Sequence, residues 1–412
     1  MLGKCILSNS SMLPSQVLSQ RVQAIKESPT LAITAKAGKY KAEGRPIIGL
    51  AAGEPDFDTP QHIKDAAIAA INAGYTKYTP VSGIPALKQA IVNKFKSENG
   101  FDYTLNEVIV GVGGKQTIFN LCLAVLNKGD EMIVPAPYWV SYADIALVAE
   151  ATPVIIDCGI EQGFKLLPAQ LAAAITPKTK IVMLNSPSNP TGAVYSLQEL
   201  KALGEVLLKH PHILVATDDM YEHVNLTGEQ FYNILNATPA LKDRCIVLNG
   251  VSKAYSMTGW RIGYAAGPAD IIKAMEILQS QSTSNATSIS QYAAVAALTG
   301  SQECIKPMVT AFIQRHQYVV DRFNAMPGLS CLMAGGAFYA FPDARMAIAN
   351  LYKAGKINAA TDMALAEYLL ESFDVAVVPG SAFGAEGYFR ISFATSMDNL
   401  RNALDRIEKA LS

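Results

Sequence analysis

The sequence predicts an α/β protein in which a mostly parallel sheet, covered on both faces, forms a large unit, and a smaller α+β unit completes the chain. Three observations carry this. Between about residues 105 and 270, uninterrupted Val/Ile/Leu runs alternate with helical patterns, as expected for strands buried on both faces and joined by crossover helices. After about residue 300 the pattern changes to helices set around a few short strands. At 412 residues the chain exceeds the size at which one core stops growing, so two units are expected.

Residues 1–15 read as a loose tail with Met12 as an alternative start, because the apolar stretch there is too short for a secretory signal. The segment before residue 53 is expected to complete the smaller unit, and the Pro- and Gly-bearing loop 52–60 to carry the chain into the larger one. Strands are expected at 107–111, 132–135, 153–157, 180–185, 213–218, 245–249 and 261–266. Helices at 309–324 and 361–373, with short strands at 337–341, 376–378 and 388–393, form the smaller unit. The expected division is 16–52 and 303–412 for the small domain and 53–302 for the large one. Open parallel sheets take ligands beyond the carboxyl ends of their strands. Polar or Gly-rich residues gather there, at 113–115, 185–187, 218–219 and 249–253.

Composition narrows the function classes. Half the residues are apolar and 17% are charged, which suits an ordered globular protein. A formal net charge of −1 offers no basic surface for nucleic acid or an anionic membrane. The six cysteines are scattered without metal-ligand spacing, so reduced thiols in a cytoplasmic protein are expected, with neither a metal site nor a disulfide framework. No apolar run reaches the length of a membrane span.

The candidate chemistry lies at the strand ends. Lys253 follows a buried strand, where partial desolvation makes its neutral amine accessible. Arg261, eight residues on, suits a bidentate grip on phosphate. Asp218 ends the strand 213–218, with Tyr221 three residues beyond. Gly113, Gly114 and Lys115 open a helix whose first N–H groups make an anion site. Trp139 follows another strand, and Arg390 is a charge inside a strand pattern, which calls for a partner. Singly, each has a plain alternative: a solvated lysine, a salt-bridged aspartate, a tight turn at the glycines, a core tryptophan. Together they supply what pyridoxal 5′-phosphate requires. Lys253 is the amine that condenses with its aldehyde, and Asp218 the acid at its ring nitrogen. Tyr221 and Asn189 are donors to its phenolate oxygen, and Trp139 lies against its ring. Gly113, Gly114, Lys115 and Arg261 form the phosphate cradle, with Ser252 left open, and Arg390 anchors a substrate carboxylate.

The motifs GEPDFDTP at 53–60, YTPVSGIP at 78–85, NPTG at 189–192 and the segment from Lys253 through Arg261 occur in this order along the chain. In this the sequence resembles the fold-type I, class I pyridoxal-phosphate-dependent aminotransferases, and specifically the bacterial-type aspartate aminotransferases, over nearly its whole length. The resemblance implies transfer of the amino group of aspartate to 2-oxoglutarate. It also implies a homodimer in which Tyr78 reaches the phosphate of the neighbouring subunit's cofactor, and contacts from Gly53, Trp139, Asn189 and Arg390 to the amino acid. Lys115, helped by Thr30, is the implied cation for the distal carboxylate. The segment 25–30, IKESPT, resembles that of relatives that accept prephenate and form arogenate, and Lys26 matches the position that meets its second carboxylate. Three departures stand out: TDDMY at 217–221 for the usual SDEIY, Gly250 where many relatives carry a phosphate-binding Ser, and Glu27 where prephenate-active relatives carry Pro. A β-lyase could use the same constellation. A cofactor-sensing regulator would need a fused basic DNA-binding segment, which this sequence does not show.

Overall fold

The computed structural model describes residues 17–25 and 29–412. The expected tail 1–15 and Lys26 lie outside the described residues. Twelve strands are described: β1 Ile48–Gly49, β2 Val108–Val112, β3 Glu131–Ala136, β4 Thr152–Asp157, β5 Thr179–Asn185, β6 Leu214–Asp218, β7 Cys245–Gly250, β8 Ile262–Ala266, β9 Tyr339–Ala340, β10 Val375–Ala376, β11 Val378–Pro379 and β12 Phe389–Ser392. Seven form a sheet in the order β2-β8-β7-β6-β5-β3-β4. All of its pairings are parallel except those of β8, which runs antiparallel to both β2 and β7. The expected strands are all present, and the mostly parallel α/β reading holds.

Continuous apolar runs work here because successive side chains point to opposite faces and both faces are covered. Ile109, Ile181, Met183, Leu214, Ala216, Ile246 and Leu248 bury against the helices Gly114–Val125, Ser141–Val148 and Ala269–Ser280. Their neighbours Val108, Val110, Val182, Leu184, Val215 and Val247 join the opposite core. That core includes the helices Gln61–Asn72, Pro85–Lys94 and Leu197–Leu208. Ser196 caps the last of these, in a capping box with Glu199.

The C-terminal elements form a second, smaller assembly. β11, β12 and β9 make an antiparallel sheet flanked by the helices Ile305–Ala325 and Asp362–Phe373, and the helix Met397–Leu411 packs on both helices. The N-terminal segment returns to it: β1 pairs in parallel with β10, and Arg45 bonds Asp374 at 2.6 Å. Several expected boundaries shift for local reasons. The strand expected at 376–378 is two strands, because Val375–Ala376 pairs with β1 whereas Val378–Pro379 pairs with β12. The helix expected from 309 begins at Ile305, since Pro307 sits in its first turn, where no N–H donor is needed. Thr361 is the N-cap of its helix, its side chain accepting from the Ala364 N–H. Arg261 does not belong to β8; its φ of 57° places it in the left-handed region.

Candidate active site

The carboxyl ends of β5, β6 and β7 and the start of the helix Gly114–Val125 border one cleft. Its lining includes Gly53, Gly114, Lys115, Trp139, Asn189, Asp218, Tyr221, Ser252, Lys253, Arg261 and Arg390. Residues spread over more than three hundred positions of sequence are thus brought to one place. One expected contributor stands apart: Tyr78 is 92% exposed and does not line the cleft. Thr30 belongs to the helix Pro29–Ala42, but its side chain, like all of Lys26, lies outside the described residues.

Lys253 follows β7, and its Nζ donates to the Gly53 carbonyl at 2.6 Å. The residue is half-buried and lines the cleft. Burial and then the positive charges of Arg390 and Arg261 lower its pKa from 10.5 to about 8, against the pull of Glu54 and Asp218. Asp218, at the buried end of β6, accepts from Tyr142 Oη at 2.5 Å and from the Met220 N–H at 3.2 Å. Burial pushes its carboxyl above the usual range, and the Tyr142 hydrogen bond, the Met220 N–H and the Lys253 charge pull it back. A cationic ring N–H facing this carboxylate would supply the counter-charge that burial demands.

The candidate anion cradle is built from backbone. The first N–H groups of the helix Gly114–Val125 have no partner within the helix, and Gly113, with φ 81°, opens it. A Cβ at Gly113 would come within 2.1 Å of the Arg261 guanidinium, so only glycine lets the arginine close on this helix end. Arg261 donates to the Thr258 carbonyl at 2.8 Å and to the Val112 carbonyl at 3.4 Å, leaving donor capacity toward the cleft. Its left-handed backbone is costly for a non-glycine residue and recurs at functional sites. At Gly250 a Cβ would lie 3.0 Å from the Ile262 carbonyl and from the Met220 methyl, so the departure noted in the sequence fits the close approach of β8. Ser252 lines the cleft from the same turn.

Arg390, on β12, is 3% exposed. It donates to Asn189 Oδ1 at 2.9 Å and to the Ala51 carbonyl at 2.7 Å, and its guanidinium lies 4.5 Å from the Tyr339 ring centroid and 4.9 Å from that of Phe383. Its Nε is buried without a hydrogen-bond partner. A buried donor with no acceptor is costly, and a carboxylate entering the cleft would satisfy it. Lys115 extends into the cleft 5.1 Å from the Trp139 ring, its pKa lowered by burial and by Arg261. The donor set therefore fits pyridoxal phosphate: an amine of depressed pKa, a buried acid, a glycine-built anion cradle with an arginine, and an orphaned guanidinium donor.

The structure adds residues that sequence reasoning missed. Tyr142 supports Asp218 and packs edge-on to Trp139. Tyr339 shares a 2.8 Å hydrogen bond with Tyr221 and stacks on Arg390. Both tyrosines sit in apolar sequence patterns that announce packing and give no signal of the hydroxyl's role.

Comparison with known proteins gives a consistent result. The sequence model of the family described as aminotransferase class I and II matches residues 45–407. The aspartate/prephenate aminotransferase of Nitrosomonas europaea is 62% identical over 395 residues, covering 96% of this chain and all of the relative. The crystal structure of the aspartate aminotransferase of Rhizobium meliloti superposes with a TM-score of 0.91 at 49% identity, covering 96% of this chain and 98% of the other. The aspartate aminotransferase of Thermus thermophilus with maleate gives a TM-score of 0.89 at 42% identity, over 95% and 99% of the respective chains.

Proposed function

We infer that the chain, which belongs to the aminotransferase class I and II family, is a pyridoxal-phosphate enzyme that moves the amino group of aspartate to 2-oxoglutarate, with prephenate as a second acceptor, giving arogenate. The observation that carries this reading is the convergence on one cleft of a lysine of lowered pKa, a buried aspartate and an arginine with a free buried donor. The name borne by the Nitrosomonas relative and the lysine-bearing segment 25–30 support prephenate.

When bound, the cofactor supplies an aldehyde for the substrate amine and a protonated ring that draws electron density from the substrate α-carbon. Asp218 would hold the ring nitrogen, with Tyr142 fixing the carboxylate. Tyr221 and Asn189 would serve as donors to the phenolate oxygen, and Trp139 would cover the ring. Arg261, Ser252 and the helix N-terminus at Gly113, Gly114 and Lys115 would hold the phosphate. Arg390 and Asn189 take the substrate α-carboxylate beside Gly53, and Lys115 the distal one. Lys253 Nζ, neutral once freed, takes the α-proton and later gives it back. Its low pKa keeps a usable neutral fraction near pH 7.

We assign residues 53–302 to the large domain and 16–52 with 303–412 to the small one, supported by the pairing of β1 with β10. The exposure of Tyr78 suits a homodimer in which it serves the neighbouring site. Among the described residues no helix is long and apolar enough to cross a membrane, and a cytoplasmic location accords with the buried free thiols.

The test is a screen of amino donors against 2-oxoglutarate with the purified protein, with an added arm in which prephenate is the acceptor. Aspartate should give the highest specificity constant and prephenate should yield arogenate. No 2-oxo acid from aspartate would overturn the reading, and no arogenate would remove the second acceptor.

A further inference from the structure

Behind the cleft lies a buried polar network that the reaction does not use directly. Lys94, at the end of the helix Pro85–Lys94, has a side chain with no exposed surface. Its Nζ bonds Glu222 and donates to Asn99 Oδ1 at 2.8 Å, with Glu98 at 3.5 Å. The Glu222 carboxylate also accepts from Asn99 Nδ2 at 3.0 Å and from Asn249 Nδ2 at 2.7 Å. Asn249 in turn accepts from the Gly250 N–H at 2.7 Å. His223 stands 3.6 Å from Glu222 and 2.8 Å from Glu98. The carboxylates and imidazole of Glu98, Glu222 and His223 are grouped closely enough to hold a cation, but the Lys94 ammonium already supplies that charge.

The placement of this network matters more than its charge. Glu222 directly follows Tyr221 in the turn after β6, and Asn249 lies near the end of β7, four residues before Lys253. The two strands are parallel neighbours, so the Glu222–Asn249 contact ties together the two strand ends that carry the proton-moving amine and the phenolate donor. Lys253 Nζ lies 5.9 Å from the centre of the Tyr221 ring. Glu222 is held ionised: burial alone would push its carboxyl up, but the Lys94 charge, His223 and the hydrogen bonds from Lys94 and Asn99 bring it down to about 2. All three acceptor contacts are therefore to a fixed anion, the stronger class of hydrogen bond.

We propose that Glu222, through Asn249 and braced by Lys94, is a positioning residue that sets Tyr221 and Lys253 relative to each other. This rests on the reading of Lys253 and Tyr221 given above. The bland competitor is that the ion pair only pins the helix Pro85–Lys94 to the sheet. Two double variants separate them: Lys94→Met with Glu222→Gln, and Lys94→Met with Glu222→Met. Neither leaves a lone buried charge, and replacing a buried ion pair by neutral groups is tolerated. They differ in whether position 222 still accepts the Asn249 amide. Misplacement of reacting groups by an ångström costs on the order of a hundredfold. The glutamine pair should therefore exceed the methionine pair in kcat by roughly tenfold or more, with similar KM for aspartate. In the cofactor-free protein, the pH at which Lys253 titrates should move by about half a unit or more in the methionine pair relative to the glutamine pair. Equal kcat and equal Lys253 titration in the two variants would overturn the proposal. If the methionine pair does not fold, Asn249→Ala with the ion pair intact replaces it, and an unchanged kcat and titration there overturn the proposal equally. Lys253→Met run in the same assay must abolish turnover; if it does not, the reading of the site fails, and not that of the network.

Discussion

The depressed pKa of Lys253 can be measured without the cofactor. Each pH unit is a factor of ten in the neutral fraction, so a fall from 10.5 to about 8 makes roughly 300-fold more free amine available at pH 7. The largest cause after burial is Arg390. Arg390→Met should therefore raise the value, and Asp218→Asn, which removes a charge that holds it up, should lower it further. Because the folded value lies below the unfolded one, the unfolded chain carries the extra proton between about pH 8 and 10.5. The cost to folding is full below pH 8 and fades as the pH rises to 10.5. Lys253→Met should thus stabilise the cofactor-free protein at pH 7, with an upper bound of roughly 3 kcal/mol, and the advantage should vanish near pH 10.5. Reductive ¹³C-methylation of the lysines followed by NMR titration reads the pKa, the Lys253 signal being the one absent from Lys253→Met. Chemical unfolding at several pH values reads the stability. A Lys253 signal titrating at its ordinary value, together with no stabilisation in the variant, would refute the reasoning.

Asp218→Asn keeps the side-chain volume and removes a buried charge, so stability of the cofactor-free protein should hold or rise. Turnover should fall on the order of a hundredfold or more in steady-state assays. Tyr142→Phe removes the 2.5 Å hydrogen bond to Asp218, and a bond to a charged group is worth about 1.5–3 kcal/mol. Cofactor affinity, measured by equilibrium binding, should weaken about tenfold or more, whereas an unchanged affinity would make Tyr142 a packing residue only. Lys115→Ala should raise KM for aspartate about tenfold while leaving that for an apolar amino acid nearly unchanged; an equal effect on both would show that Lys115 serves only the phosphate.

The sheet was legible because parallel strands buried on both faces leave unbroken apolar runs, and the site because its residues terminate those runs. Lys253, Asp218 and Arg390 were found from their positions at strand ends or within strands, where a charge needs a reason. Strand direction was not legible. β8 reads like its neighbours in sequence yet runs antiparallel to them, because periodicity carries no sign. Nor could Lys94 be found. A lysine closing an amphipathic helix reads as solvated, and its partner Glu222 lies 128 positions away. Tyr142 and Tyr339 were hidden likewise, since a buried tyrosine inside an apolar pattern announces packing before it announces its hydroxyl. The left-handed backbone at Arg261 and the approach of its guanidinium to Gly113 were also not legible, the latter being a contact between segments that the sequence keeps far apart.

The central claim is that Lys253 is the amine that holds the cofactor. Borohydride reduction of the cofactor-loaded enzyme followed by peptide mapping tests it most directly. A pyridoxyl group should appear on Lys253 and on no other lysine, and a label on Lys115 or elsewhere with Lys253 unmodified would contradict the account.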